Sequence, residues 1–371
     1  MADQDTVETE IEGLEVGTGS GWDDYPLDSV FVRKEERTVG EVVKRITAGR
    51  YQLDPDFQRT FVWPLEKQSK LIESCIMRIP LPVFYVAEAL DGRIIVVDGL
   101  QRLTTLQRFI NNAFALSGLA GGKESTVNHP LEGKKFKDLP INLRERIEDT
   151  PLIFYILDSK APERARLDIF DRVNSGVPLS RQQMRNSLYN GPATRWLKTA
   201  AEGQEFKQAT GGSLDPLTMR DREAINRFCA FRIYTADAYR ADMDSFLGRT
   251  LESMNEWPTE NLTSLRSEFD KSMALNRKLF GSHAFRKSLV EDNQNVRRSI
   301  LNIALFDVCS VFFAEVPKSI TPRHEEKIKR AFLNLLRRDD FVFSISYSTN
   351  STYQVRTRFE LARQAVDGAI K

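Results

Sequence analysis

The chain has 371 residues, 41% of them hydrophobic and 28% charged, the balance of a globular protein with room for two or three domains and not of a disordered or fibrous chain. No apolar run approaches the ~20 residues of a membrane span, and no basic start followed by an apolar block marks a signal peptide, so a cytoplasmic protein without a membrane partner is expected. The formal net charge of +1 hides an asymmetry: residues 1–28 carry nine acids and no Lys or Arg, which leaves about +10 on the rest. That acidic segment is too poor in apolar residues to order itself, and reads as a disordered tail. A second reading makes it a polyanion mimic that covers a basic groove. Cys75, Cys229 and Cys309 are odd in number and far apart; each lies in an apolar helical pattern and reads as a small buried residue in a reducing compartment.

The first structured block starts near residue 30. Thr38 can cap a helix over 38–49 whose Val39, Val42, Val43 and Ile46 share a face and which Gly49 ends. Residues 51–63 are extended or looped around Pro55, and Pro64 then opens a helix over 64–78 with Leu65, Leu71, Ile72, Cys75, Ile76 and Ile79 on its buried stripe. The runs LPVFYVAEA and RIIVVDG, separated by Asp91-Gly92, read as a hairpin. A helix over 103–113, a flexible loop at 118–125 and a strand at 151–158, buried on both faces, follow. A helix runs from Pro162 to the Ser175-Gly176 stop, and Ser180 with Gln183 forms a capping box for the next one. Beyond residue 190 the pattern is helical over 192–200, 218–235, 240–256, 259–280, 295–315 and 323–338; FVFSISYS (341–348) interrupts it before a last helix near Ser351. The expected architecture is α+β: a disordered acidic tail (1–28), an α/β N-terminal domain (29–190) and an all-helical C-terminal domain (191–371).

One stretch, RIIVVDGLQRLTTLQRF (93–109), carries chemistry. A strand that delivers a glycine to a helix N-terminus presents unpaired amides at the positive end of a helix dipole, which favours phosphate. Gly99 lets the backbone turn and a ligand come close. Arg102 offers a planar fork for phosphate oxygens, and Thr104 and Thr105 add hydroxyls. Asp98 repels a phosphate, so its place there makes sense if it holds Mg²⁺ or orients Arg102. The competing reading is an ordinary turn, with Asp98 capping the helix and Arg102 in a surface ion pair. Two further clusters allow a pocket. Gln58-Arg59 sits among Phe57, Phe61 and Trp63, suited to stacking a base and touching a phosphate or to plugging a core. Arg172, Asn174, Ser175 and Gly176 end a helix, as a second wall of that pocket or as a plain C-terminal turn.

PDFQRTFVW, LIESCIMRIPLPVFYV, VVDGLQRLTTLQRF and IFDRVNSGVPLSRQQMRNSLYNG, in that order and spacing, resemble the DGQR-type N-terminal domain of GmrSD-like restriction proteins, over about residues 35 to 190. The tail FSISYSTNSTYQVRTRF is similar to that of stand-alone members. The resemblance implies a ParB/sulfiredoxin-like nucleotide-binding fold. It also implies an NTP-binding and NTP-hydrolysing role in prokaryotic defence against foreign or modified DNA. By position it assigns catalysis to Asp98, Gln101 and Arg102. Nucleotide or phosphate binding falls to Gln58, Arg59, Gly99, Arg102, Asn174, Ser175 and Gly176; the chemistry of the residues adds Thr104, Thr105 and Arg172 to these, and Mg²⁺ at Asp98. The chain departs at Leu100, where members carry a second glutamine; a leucine makes no hydrogen bond, which puts efficient hydrolysis in doubt.

The histidines His129, His283 and His324 are isolated, so no HNH nuclease is expected and DNA cleavage would need a partner nuclease. No GxxxxGK[ST] loop or CxxC pair occurs. Arg297-Arg298, Arg337-Arg338 and Arg356 with Arg358 are dense enough to contact a DNA backbone, or else lie on solvated helix faces. The reading is an NTP-dependent module of a restriction system acting on DNA. Its rivals are a non-enzymatic DNA-binding or specificity subunit and a ParB-like metal-dependent nuclease acting through Asp98.

Overall fold

The computed structural model describes residues 11–13, 32–53, 63–89, 91–119, 129–161, 163–173, 180–293, 295–317 and 321–370. Contacts divide the chain into two units, Ser20–Leu179 and Met1–Gly19 with Ser180–Lys371. The division falls at 179/180, where the sequence suggested 190/191. The reason is the helix Arg181–Leu188, whose Gln182, Arg185 and Asn186 are buried against residues of the helical unit. Most of the acidic segment lies outside the described residues. Ile11–Gly13 are an exception: the Glu12 amide donates to Leu301 O at 3.0 Å, the Ile303 amide donates to Glu12 O at 3.0 Å, and Ile11 is buried in the helical core.

In the first unit, β1 (Val32–Thr38), α1 (Val39–Thr47), β2 (Tyr51–Gln52), α2 (Leu65–Ile76), β3 (Phe84–Glu88), β4 (Ile94–Asp98), α3 (Leu100–Ile110), α4 (Ile141–Glu148), β5 (Pro151–Leu157) and α5 (Glu163–Val173) follow in order. The sheet runs β1-β5-β3-β4-β2. β5 pairs antiparallel with β1 and parallel with β3, while β4 pairs antiparallel with β3 and parallel with β2. Period-2 alternation gives the sheet a face made of Phe84, Val86, Ile94, Val96, Leu152, Phe154 and Ile156, which packs on Val39, Val42, Ile72, Leu103, Leu106 and Phe109 of the helices. α5 lies against β4, which accounts for a strand buried along nearly its whole length.

Local signals hold where they were strongest. The Thr38 side chain accepts from the Glu41 amide at 3.3 Å and caps α1. β5 is the exception to its expected burial on both faces, because Ile153 and Tyr155 are only half-buried. β1, VRKEERT, has no apolar alternation to announce it. It forms as an edge strand in register with β5, and Glu35 pairs with Arg33 and Arg37 along it.

The second unit contains α6 (Arg181–Leu188), α7 (Pro192–Glu202), α8 (Gln204–Thr210), α9 (Arg220–Tyr234), α10 (Met243–Asn255), α11 (Thr259–Phe280), α12 (Ile303–Glu315), α13 (Pro322–Leu335), α14 (Asp339–Ser344) and α15 (Thr352–Ile370). FVFSISYS does not break the helical pattern as expected: α14 takes its first half, with Asp339 and Asp340 in the first turn and Phe341 and Ser344 buried. α12, buried from Ile303 to Ala314, is the axis on which α9, α11 and α15 pack. Within it Asp307 is fully buried and bonds two arginines: Arg227 on α9 at 2.8 and 2.6 Å, and Arg358 on α15 at 3.0 Å. Burial, only partly offset by Asp307, pushes Arg358 down to about 10.

Two stability predictions arise here. At α6 the Ser180 hydroxyl accepts from the Gln183 amide at 3.2 Å, and the Gln183 side chain accepts from the Ser180 amide at 2.7 Å. Ser180→Ala should cost about 1–2 kcal/mol in urea unfolding, the range for a lost N-cap. At α9, burial pushes the Asp221 carboxyl, 7% exposed, up to about 6. An unfolded Asp ionises near about 3.9, so between roughly pH 4 and 6 the native state keeps a proton that the unfolded state has lost. Stability therefore falls across that window and stays lower above it. Asp221→Asn, which keeps an acceptor for the Arg222 amide, should match wild type near pH 3.5 and exceed it at pH 7 by about 3 kcal/mol. Equal stabilities at pH 7 would contradict the burial account.

Candidate functional site

β4 ends on Asp98, and Gly99 turns the chain into α3 with φ +100° and ψ 7°. That left-handed conformation favours glycine, and space demands it as well. A Cβ at Gly99 would lie 2.3 Å from Phe84 Cδ1 and 2.8 Å from Cε1. α3 has no side-chain cap, and its first intrahelical bond runs from the Leu103 amide to Gly99 O at 2.9 Å. The amides of Leu100, Gln101 and Arg102 therefore sit at the positive end of the helix with no acceptor inside it.

Arg102 is placed otherwise than expected. Its side chain is 11% exposed. Nη2 donates to Asp98 Oδ2 at 2.7 Å and to Val83 O at 3.1 Å, Nη1 donates to Pro82 O, and the guanidinium lies 4.3 Å from the Phe84 ring centre. Both Nη2 hydrogens and one on Nη1 are thus committed to the protein. Burial holds its pKa below the usual guanidinium range, with Asp98 pulling the other way. The guanidinium ties the lead-in of β3 to the turn and holds the Asp98 carboxylate in one orientation, so its fork does not face a ligand. Asp98 is 39% exposed and its Oδ1 has no partner among the described residues. One anchored and one open oxygen on a half-exposed carboxylate fit a shared Mg²⁺ or an oriented water.

Thr105 is corrected: it is fully buried and donates its hydroxyl to Gln101 O at 2.7 Å, so it cannot touch a ligand. Thr104 is half-buried in the same helix. Gln101 is half-buried and already has a partner, and Leu100 packs on the core of the α/β unit. Arg172 is exposed in the last turn of α5 and is likewise not without a partner. Gln58, Arg59, Asn174, Ser175 and Gly176 lie outside the described residues. Arg358, read as a DNA contact, is fully buried on Asp307, whereas Arg297, Arg337 and Arg356 are exposed.

The structure adds two residues that the sequence reading missed. A register shift between Tyr85 and Val86 sets Asp98 opposite Tyr85, and Tyr85 is paired in turn with Tyr155 of β5. The two rings stack at 5.6 Å and are half-buried. Directly opposed residues on neighbouring strands have Cβ atoms about 5 Å apart, so the open carboxylate adjoins an aromatic shelf. The only sequence signal was the tyrosine at an outward position of each strand, which gains meaning once β3 and β5 are known to be neighbours.

His129 accepts from the Leu131 amide, His283 faces Ser288 Oγ at 2.9 Å and His324 faces Thr321 Oγ1 at 2.9 Å. Among the described residues no group of three or more His, Cys, Asp or Glu could hold a metal by itself. No described helix is long and apolar enough to cross a membrane. No curated protein matches the chain. The Asp98–Gly99 corner and its tyrosine shelf fall within residues 39–190, which match the family described as GmrSD restriction endonuclease, N-terminal domain, so that over these residues the chain is similar to that domain.

Proposed function

We propose that the chain is a nucleotide-dependent component of a restriction system directed at foreign DNA, with a ParB-like NTP site at the β4–α3 corner. The observation that carries this reading is the N-terminal end of α3, whose leading amides have no acceptor inside the helix and adjoin a carboxylate held by Arg102 with one oxygen open. Phosphate oxygens take the amides of Leu100, Gln101 and Arg102. The base stacks on Tyr85 and Tyr155. Asp98 orients a water on the terminal phosphorus; the new P–O bond forms as the bridging P–O bond breaks, releasing inorganic phosphate and a nucleoside diphosphate. Asp98 would be the residue to hold Mg²⁺, which when bound would neutralise phosphate charge. Arg102 is a positioning residue, because it reaches the site only through Asp98. The burial of Arg358 argues against a DNA-backbone contact there, so DNA enters as the signal that modulates turnover or as the target of a partner nuclease.

The test is phosphate release from ATP, GTP, CTP and UTP, with and without DNA. Asp98→Asn should cut turnover by about 10²–10⁴-fold, the usual share of a positioned acid–base group, while NTP affinity changes little. Tyr85→Ala should raise Kd about 10-fold, in line with ~1–3 kcal/mol for one stacked base. Unchanged turnover in Asp98→Asn, or no saturable NTP binding by wild type, would contradict the proposal.

A further inference from the structure

α3 has two ends, and the one remote from Gly99 borders a cavity of about 720 Å³, within the range of small-molecule sites. Eleven residues at 1.5 Å each put roughly 15 Å between the two ends. The cavity lies wholly in the α/β unit, between the start of α2, Arg108 at the end of α3 and the chain segments 113–117 and 129–135.

Basic side chains outnumber acids in its described lining: Arg108, His129 and Lys135 against Glu132. Glu132 is the acid among the described lining residues. Its carboxylate accepts from the amides of Gly118 at 3.0 Å and Leu119 at 3.2 Å, and these bonds, with a smaller part from Ser117, hold its pKa below the usual carboxylate range. Each carboxylate oxygen thus takes one backbone amide, Oε1 that of Gly118 and Oε2 that of Leu119. Lys135 also lines the cavity, is half-buried, and has no ion-pair partner among the described residues. Arg108 adds a second cation to the wall. Leu65, Ala113, Ala115, Leu116 and Phe114, the last 5% exposed, make the apolar part of the lining, with Ser117 and His129 beside them. Gln68, 3% exposed in the same wall, donates Nε2 to Trp63 O at 2.8 Å and leaves Oε1 with no partner.

We propose that this cavity is a second binding site, for a small organic anion in which a flat ring carries one carboxylate or phosphate. The anionic group pairs with Lys135, and the ring lies on Phe114. This site does not depend on a nucleotide at the β4–α3 corner.

Calorimetric titration of the full chain with the four nucleoside monophosphates, benzoate and inorganic phosphate tests it. Saturable binding of a ring-bearing anion is expected, with inorganic phosphate at least 10-fold weaker. The nucleoside monophosphate and benzoate arms tell a phosphate from a carboxylate. Lys135→Gln should weaken binding at least 10-fold, and Ala113→Arg, placed in the exposed rim, should abolish it by filling the space. Asp98→Asn should leave it unchanged. The proposal is overturned if no probe saturates, if inorganic phosphate binds as well as the ring-bearing anions, or if Lys135→Gln and Ala113→Arg bind like wild type. Loss of binding in Asp98→Asn would assign it to the corner and also overturn the proposal.

Discussion

Asp307→Ala is expected to destabilise the helical unit by about 3–5 kcal/mol, the cost of removing one partner of a buried ion pair. The carboxylate is fully buried and serves Arg227 and Arg358, which are also buried. With alanine there, two guanidinium groups stay in a low-dielectric core without a counter-charge, and water cannot reach them. The loss extends beyond the pair. Arg358 also donates to Thr349 O, and Tyr239 donates to Asn350 O at 2.6 Å, so the turn between α14 and α15 hangs on the same cluster. Urea unfolding should register a lower midpoint with little change in slope. A control separates charge from packing. Replacing all three groups by apolar residues of similar size, as in Arg227→Met with Asp307→Leu and Arg358→Met, should recover most of the loss, since a buried ion pair contributes little net stability against a well-packed core. A single Asp307→Ala variant as stable as wild type would contradict the burial of this cluster.

Gly99→Ala should be the most damaging single methyl in the α/β unit, at about 2–5 kcal/mol. Two penalties add. A φ of +100° strains any residue with a Cβ, at about 1–2 kcal/mol. The methyl would also sit 2.3 Å from the Phe84 ring, and overpacking costs about 1–3 kcal/mol. Phe84 is fully buried and stacks on Phe154 at 5.2 Å, so it has little room to retreat. Any shift of that ring also disturbs Arg102, which rests on it, and through Arg102 the Asp98 carboxylate. Stability and turnover should therefore fall together. A fully stable Gly99→Ala would mean that the corner is looser than described.

What was legible in the sequence was local. The caps at Thr38 and Ser180, the Pro64 helix start and the Asp91-Gly92 hairpin depend on residues within one turn of each other, and each is found where it was read. The strand–Gly99–helix corner was legible for the same reason. What the residues of the corner do was less so, because Arg102 is claimed by Pro82 and Val83, carbonyls that come near only through the β3–β4 pairing. A motif spacing says which groups are adjacent in the chain, not which of their hydrogen bonds tertiary structure has already used. The same limit hid the Tyr85–Tyr155 shelf, which needs the parallel β3–β5 register. It also made Arg358 look like a DNA contact when its partner, Asp307, lies on another helix. β1 escaped notice because an edge strand of charged residues is held by its neighbour's backbone, not by an apolar pattern.

Amide hydrogen exchange across residues 98–105, with and without NTP and Mg²⁺, tests the central claim most directly. The amides of Leu100 and Arg102 lack acceptors inside α3, so they should exchange fast in the free protein. NTP should slow them selectively, and the Asp98→Asn protein should keep much of that protection while losing turnover. Protection that appears elsewhere and leaves these amides exchanging as before would place the nucleotide away from this corner.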